Sequence, residues 1–296
     1  MNDPMTAAKA SAASHLQAIF GSTPPPRPSA TDNGLVMEQR RRHICELIEE
    51  QGRVTTEELS ARFRTSLVTI RGDLNALAET GRIVRTHGGA LAHRDGEELP
   101  IGVKENLRQG EKMRIAAVAA SMIQDGQTIL LDSGSTTGEI AKQIRQLKLE
   151  GINVITNALN IAVTLANAPN VQLVMLGGVL RPNSFSLSGP QAELALAGLQ
   201  ADLLFLGVDS LDPDVGLMTP HVLEAQLNAQ MIRSARRVIA VADSSKLLRR
   251  NLSVIAKVEQ IHTLITDDGA NPEIVTALRN RGVEVVIVSP RGIELR

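Results

Sequence analysis

The chain has 296 residues, 31 Lys and Arg against 32 Asp and Glu, a formal net charge of −1 and 43% hydrophobic residues. That length suits about two domains, and the apolar content excludes a wholly disordered chain. Four Phe with no Tyr or Trp exclude the aromatic platforms that hold single-stranded nucleic acid or RNA. The single Cys45 excludes an internal disulfide and a cysteine-rich zinc site. No apolar run reaches the roughly 18 residues of a spanning helix, and the start lacks a signal-peptide core. The expectation is a soluble, cytoplasmic protein with no membrane partner.

Residues 1–36 are rich in Ala, Ser and Thr and include Pro24-Pro25-Pro26-Arg27-Pro28, a composition that predicts a disordered tail. From Met37 the pattern turns helical, with Ile44, Leu47 and Ile48 on one face and Gly52 as the stop. Thr55 stands three residues before Glu58, the spacing of a capping box, and opens a short helix with Leu59 and Phe63 on its apolar face. A third helix begins after the N-cap candidate Ser66, carries Val68, Ile70, Leu74 and Leu77 inward and ends at Gly81. Residues 82–90 alternate and then turn on Gly88-Gly89. Three helices followed by a hairpin predict a winged helix-turn-helix over 37–94.

In that arrangement the third helix enters the major groove of double-stranded DNA, N-terminal residues first. The inward set leaves Leu67, Thr69, Arg71 and Asn75 for the groove or its walls, and Ser66 at its mouth. Arg71 is suited to a bidentate pair with guanine, and Thr69 to a phosphate or a thymine methyl. Arg82, Arg85 and His87 extend the footprint into the wing. Between positions 62 and 94 six arginines face only Asp73 and Glu79, a local excess of four positive charges in a near-neutral chain.

Residues 95–103 read as a linker, and 104–296 as a second domain. Apolar runs at 128–131, 153–156, 172–176, 203–207, 238–241, 262–266 and 283–288 alternate with helical patterns near 112–123, 137–147, 158–167, 189–199, 220–234 and 271–281. Short β-branched runs between helices predict a doubly wound α/β domain, a parallel sheet covered on both faces. Such sheets bind ligands beyond the carboxyl ends of their strands. The 132–137 loop, Asp132-Ser133-Gly134-Ser135-Thr136-Thr137, follows the first strand and opens a helix, a setting that suits an anion. Taken alone, a tight turn with capping hydroxyls explains it equally well. It matches neither G-x-G-x-x-G nor the P-loop, and the six histidines show no metal spacing, so no cofactor and no metal are expected.

Other strand ends carry Asn157, Gly178, Asp209 and Asp243-Ser244-Ser245-Lys246, small or polar residues as a shared crevice requires. Arg outnumbers Lys 24 to 7, yet Lys104, Lys112 and Lys246 all flank that crevice. For Lys104 and Lys112 a merely solvated role stays open.

Both halves resemble the DeoR family of bacterial transcriptional repressors. The N-terminal match runs through Arg40 to Glu50, Val54 to Leu59, Ser66 to Leu74, and Gly81 followed by Arg85-Thr86-His87-Gly88-Gly89-Ala90. Gly72 departs from it, standing where the family usually has a basic residue. The C-terminal match runs through Lys104-Glu105-Asn106, Glu111-Lys112, the 132–137 loop, Thr156-Asn157, Gly177-Gly178 with Arg181, Gly207-Val208-Asp209, Glu224-Ala225 and Asp243-Ser244-Ser245-Lys246. The wording near 247–259 is most similar to amino-sugar operon repressors. The resemblance implies a ribose-phosphate isomerase-like sensor domain, a phosphorylated sugar as effector, and a response to it through Lys104, Lys112, Asp243 and Lys246. It implies no enzyme. The alternative, a sugar-phosphate isomerase with an accessory DNA-binding domain, rests on Glu224 at the place of the isomerases' catalytic glutamate. Against it, 215–220 lacks the glycine-rich lysine loop that should precede that residue. One short helix reads too few bases for genomic specificity, so a homo-oligomer, dimer or tetramer, is expected on operator DNA.

Overall fold

The computed structural model of the chain describes residues 30–79, 83–86, 88–92 and 98–295. Most of the expected tail lies outside the described residues, as does the helix stop at Gly81. Helix α1 runs Ala30–Gln51 and so begins seven residues before Met37. Past Pro28 nothing blocks a helix until Gly52, and extending one adds a hydrogen bond per residue. Gly52, at φ 74°, ends it. Strand β1 (Arg53–Thr55) leads into α2 (Thr56–Phe63). There the capping box forms as spaced: Glu58 N donates to Thr55 Oγ1 at 3.1 Å, and Thr55 N to Glu58 Oε2 at 2.8 Å.

Helix α3 (Leu67–Glu79) is followed by β2 (Ile83–Thr86) and β3 (Gly89–Ala92), which pair with β1 in the order β1-β3-β2. Ile44, Ile48, Leu59, Ile70 and Leu74 fill the small core. Val68 does not join them: it is 76% exposed. At about 100° per residue, Ile70, Leu74 and Leu77 share a face, and a residue two before Ile70 points away from it. Asp73 takes an inward place instead, 2% exposed and held by Arg40 at 2.6 Å and Arg41 at 2.9 Å, which ties α1 to α3.

The expected linker is partly structured. Glu98 and Leu99 are half-buried, and α4 (Ile101–Asn106) starts inside its expected span. Ile101 is buried and its amide donates to Asn183 O at 2.6 Å, which anchors this segment on the second domain. After α4 come α5 (Gln109–Ser121), β4 (Thr128–Leu131), α6 (Ser135–Ile144), β5 (Ile152–Thr156), α7 (Leu159–Leu165) and β6 (Val171–Met175). A hairpin of β7 (Val179–Arg181) and β8 (Ser186–Ser188) precedes α8 (Pro190–Leu196) and β9 (Ala201–Gly207). Then follow β10 (Ser210–Asp212), β11 (Gly216–Thr219), α9 (Val222–Arg233), β12 (Ala235–Val241), β13 (Ser253–Ala256), β14 (Thr263–Asp267), α10 (Pro272–Asn280), β15 (Glu284–Ser289) and β16 (Gly292–Leu295).

Eight strands form one sheet in the order β16-β15-β14-β12-β9-β4-β5-β6, parallel except for β16. All seven expected strands lie in it. Its two faces sort by alternation: Ile129, Leu131, Leu203 and Phe205 pack under α5, α6 and α7. Leu130, Leu204, Leu206 and Ala240 pack under α8, α9 and α10. The β7–β8 hairpin, a small antiparallel sheet β10-β11-β13 and the edge strand β16 are additions that the sequence reading did not contain. Among the described residues no helix is long and apolar enough to cross a membrane.

Candidate DNA interface and ligand crevice

Ser66 Oγ accepts from Thr69 N at 3.1 Å and meets Thr69 Oγ1 at 2.9 Å, so both hydroxyls build the start of α3. Beside them Leu67, Val68, Arg71 and Gly72 are exposed. Arg85 is half-buried and donates to Gly89 O at 2.9 Å. Burial, with Arg71 nearby, lowers its pKa. Asn75 and Arg85 border a cavity of about 530 Å³ between the two domains, alongside Arg108, Lys112, Lys246 and Arg249. Arg82 and His87 lie outside the described residues. Val68 is the exposed residue of this helix that the sequence reading turned inward.

In the second domain β4 pairs with both β5 and β9, and the chain works outward from there in opposite directions. This is the switch point where a parallel sheet opens a crevice. Asp132 leaves β4 here and Gly207 ends β9. A Cβ on Gly207 would lie 3.1 Å from Asp132 Oδ1 and 3.3 Å from the Gly134 Cα, so only bare backbone fits on either side of that carboxylate. Asp132 is buried with no hydrogen-bond partner for Oδ1. Burial chiefly, with Asp209 and Glu224 adding, pushes its pKa up to about 7 against the pull of Gly207 and Thr137. Thr137 is fully buried: its Oγ1 accepts from Gly134 N at 2.8 Å and reaches Asp132 O at 3.1 Å, closing the loop from behind. Ser133, Gly134, Ser135 and Thr136 line the crevice in front.

The walls carry the charges. Lys104 Nζ lies 3.0 Å from Asp209 Oδ1 and 3.5 Å from Glu98 Oε1. Burial works to lower its pKa, but Asp209, Glu98 and Glu224 outweigh it and leave the ammonium raised. Asp209 also accepts from Thr219 Oγ1 at 3.2 Å, and despite burial Lys104 and Lys246 hold its pKa down. Asp243, buried, caps the turn Ser244–Lys246 by accepting from Ser245 N at 3.1 Å. That turn carries Lys246 to the crevice, where burial lowers its pKa and Asp209 and Asp243 only partly compensate. Lys112 donates to the carbonyls of Lys104 and Leu107, bracing the end of α4, and burial depresses its pKa to about 8.

Glu224 Oε1 accepts from Ser184 at 2.7 Å, Ser186 at 2.5 Å and Arg181 at 3.3 Å. Arg181 also grips both oxygens of Glu98. Gly178 and Asn157 stand apart from this cluster. A Cβ on Gly178 would lie 2.6 Å from Ser188 O, and Asn157 Nδ2 donates to Leu187 O at 3.1 Å, so both hold the β7–β8 hairpin. Glu98, Ser184, Ser186, Arg108 and Thr219 were not singled out from sequence. For the serines a signal existed: Ser184, Ser186 and Ser188 recur at every second position, the last two on one face of β8 and the first in the turn before it, and all three are buried. Among the described residues no group of three or more His, Cys, Asp or Glu is arranged to hold a metal ion.

Comparison with known families and proteins matches both domains. The DeoR-like helix-turn-helix domain matches residues 40–95, and the DeoR C-terminal sensor domain residues 107–268. An aga operon transcriptional repressor of Escherichia coli O157:H7 is 40% identical over 84% of this chain and 93% of its own. The glycerol-3-phosphate regulon repressor of Escherichia coli K12 is 30% identical over 84% and 99%. Among solved structures, ribose 5-phosphate isomerase A from Methanocaldococcus jannaschii overlaps at 19% identity and TM-score 0.34, over 47% of this chain and 55% of that one. A winged helix-turn-helix followed by a parallel-sheet sensor domain, matched over most of its length by regulators of the same build, makes this chain a member of the DeoR family of transcriptional regulators.

Proposed function

We propose that the chain is a cytoplasmic repressor of a sugar or amino-sugar catabolic operon, which a phosphorylated sugar in the switch-point crevice releases from operator DNA. The observation that carries the reading is the crevice itself. The start of α6 with its small-residue loop faces Lys104 and Lys246, a helix N-terminus and two ammonium groups around one opening. A hydroxylated ligand would find Asp209, Glu224 and Asp243 as acceptors. A homo-oligomer on a two-part operator fits the shortness of α3, and an effector that prefers the released arrangement by about 2.7 kcal/mol lowers DNA affinity about 100-fold. Glu224 serves here as a hydrogen-bond acceptor and not as a catalytic base, since three donors already converge on one of its oxygens.

The test is a pair of variants with opposite failures. Lys246→Ala should bind operator as the parent does, but need about 10- to 150-fold more sugar phosphate to let go, the worth of one charged hydrogen bond. Arg71→Ala should lose about 1–3 kcal/mol of discrimination between operator and scrambled DNA while binding sugar phosphate normally. Titrations of both against DNA and a panel of phosphorylated sugars decide it. Release of Lys246→Ala at the parent's ligand concentration overturns the crevice as the effector site.

A further inference from the structure

Two cations serve three carboxylates at the crevice: Lys104 lines it, and Arg181 is bound to Glu98 and Glu224, which line it. Lys104 has Asp209 at 3.0 Å and Arg181 has Glu224 at 3.3 Å, so each holds a partner fixed by the second domain itself. Glu98 is the third carboxylate, and it pairs with both cations at once. It comes from the opposite direction in the chain: β3 of the DNA-binding domain ends at Ala92, six residues earlier. Glu98 is nonetheless only 11% exposed and forms part of the crevice wall. With it in place the crevice encloses about 50 Å³, room for a few waters, whereas small-molecule sites run to roughly 300–1,000 Å³.

Bidentate pairing with a guanidinium and a second contact to an ammonium is also how a phosphate or carboxylate ligand would be held. We infer that Glu98 is an internal competitor for the ligand's anionic group: a small anion entering the crevice takes Lys104 and Arg181 from Glu98 and expels the segment that leads to the DNA-binding domain. This rests on the crevice being the effector site, and adds how its occupancy reaches the other domain. Among the described residues Glu98 is the third carboxylate on these two cations, beside Asp209 and Glu224. Expelling it also removes part of the wall that keeps the crevice small.

Full-length parent, Glu98→Gln and Glu98→Ala are compared by calorimetric titration with inorganic phosphate and with glucose 6-phosphate, and by hydrogen exchange of the Ile101 amide that donates to Asn183 O. Both variants should bind each probe about tenfold tighter than the parent, because the competitor's charge is gone. Exchange of that amide should accelerate in the parent as probe is added, and start fast and stay fast in both variants. Melting curves establish that the variants are folded. Equal affinity in parent and variants overturns the competition alone and leaves the effector site standing. Weaker binding in the variants overturns it too, by making Glu98 a ligand contact. No binding of either probe by any of the three chains overturns both readings.

Discussion

In the DNA-binding domain Arg62, Arg64 and Arg71 stand exposed around the recognition helix, while in the sensor domain Lys104, Arg181 and Lys246 are half-buried in a wall of carboxylates. The two settings suit two kinds of anion. Exposed cations act on a polyanion at a distance, release its counterions and weaken steeply with salt. Cations lodged among Asp209, Glu224 and Glu98 are shielded from salt and already balanced, so only an anion of the right shape improves on what they have. The same charge type is therefore suited to attraction in one domain and to selection in the other.

The contrast is broken most severely where exposure and burial alternate along a single helix. Ile70 is fully buried and Val68, two residues earlier, is 76% exposed. Ile70→Ala should cost about 2–5 kcal/mol of stability by leaving a cavity in the small core. Val68→Ala should change stability by no more than about 0.5 kcal/mol. If Val68 meets a thymine methyl, its loss shows instead as reduced preference for one A·T pair in an operator-variant series. Chemical denaturation of both variants checks the first half, and similar losses would restore Val68 to the core.

Asp132 sharpens the sensor side. Burial raises its pKa from 3.8 to about 7, so the folded state holds this proton more tightly than the unfolded chain does. Its contribution is therefore fully present below about pH 4 and is lost as pH rises through 7. At pH 8 the ionised carboxylate penalises folding by up to about 4 kcal/mol, from roughly 3 pKa units at about 1.36 kcal/mol each. Asp132→Asn should accordingly raise the melting temperature markedly at pH 8 and little at pH 4. A difference between variant and parent that stays flat across that range rejects the assignment.

The smallest expected effect concerns Gly72, where a Cβ would meet nothing within 4 Å. Gly72→Lys should stabilise α3 by somewhat under 1 kcal/mol. If the new ammonium reaches a phosphate, it should also steepen the salt dependence of DNA binding by about 0.9 in log–log slope. Sugar-phosphate affinity should show neither change. DNA titrations over a salt series measure the slope, and an unchanged value means that position 72 faces away from the backbone.

What sequence revealed follows from how far each signal extends. The seven parallel strands were legible because each is a run of β-branched and other apolar residues between helical patterns. Pieces such as β7 and β10, three residues each, are too short to show any period. The crevice was legible at its floor, since a parallel sheet fixes where strand ends converge. Its wall was not. Glu98 lies 83 positions before Arg181, and nothing near a carboxylate in a linker announces a partner that far away. Val68 was misread on its apolar character alone: it stands six and nine residues before Leu74 and Leu77, a spacing that puts it on the far side of the face those residues share with Ile70.

The close packing of Gly134, Gly207 and Asp132 restricts how this sensor can be adapted. Any side chain at Gly207 would press on Asp132, and one at Gly134 would come within 2.9 Å of Thr137 Oγ1. A side chain at either glycine therefore has to displace Asp132 or Thr137 before it can reshape the opening. Redirecting the protein to a different inducer has to proceed through the walls, at places such as Asn228, Ile255 and Glu98 that border the same opening. A library that diversifies those wall positions and holds the glycines constant should yield altered specificities, whereas one aimed at the glycines should return mostly destabilised chains.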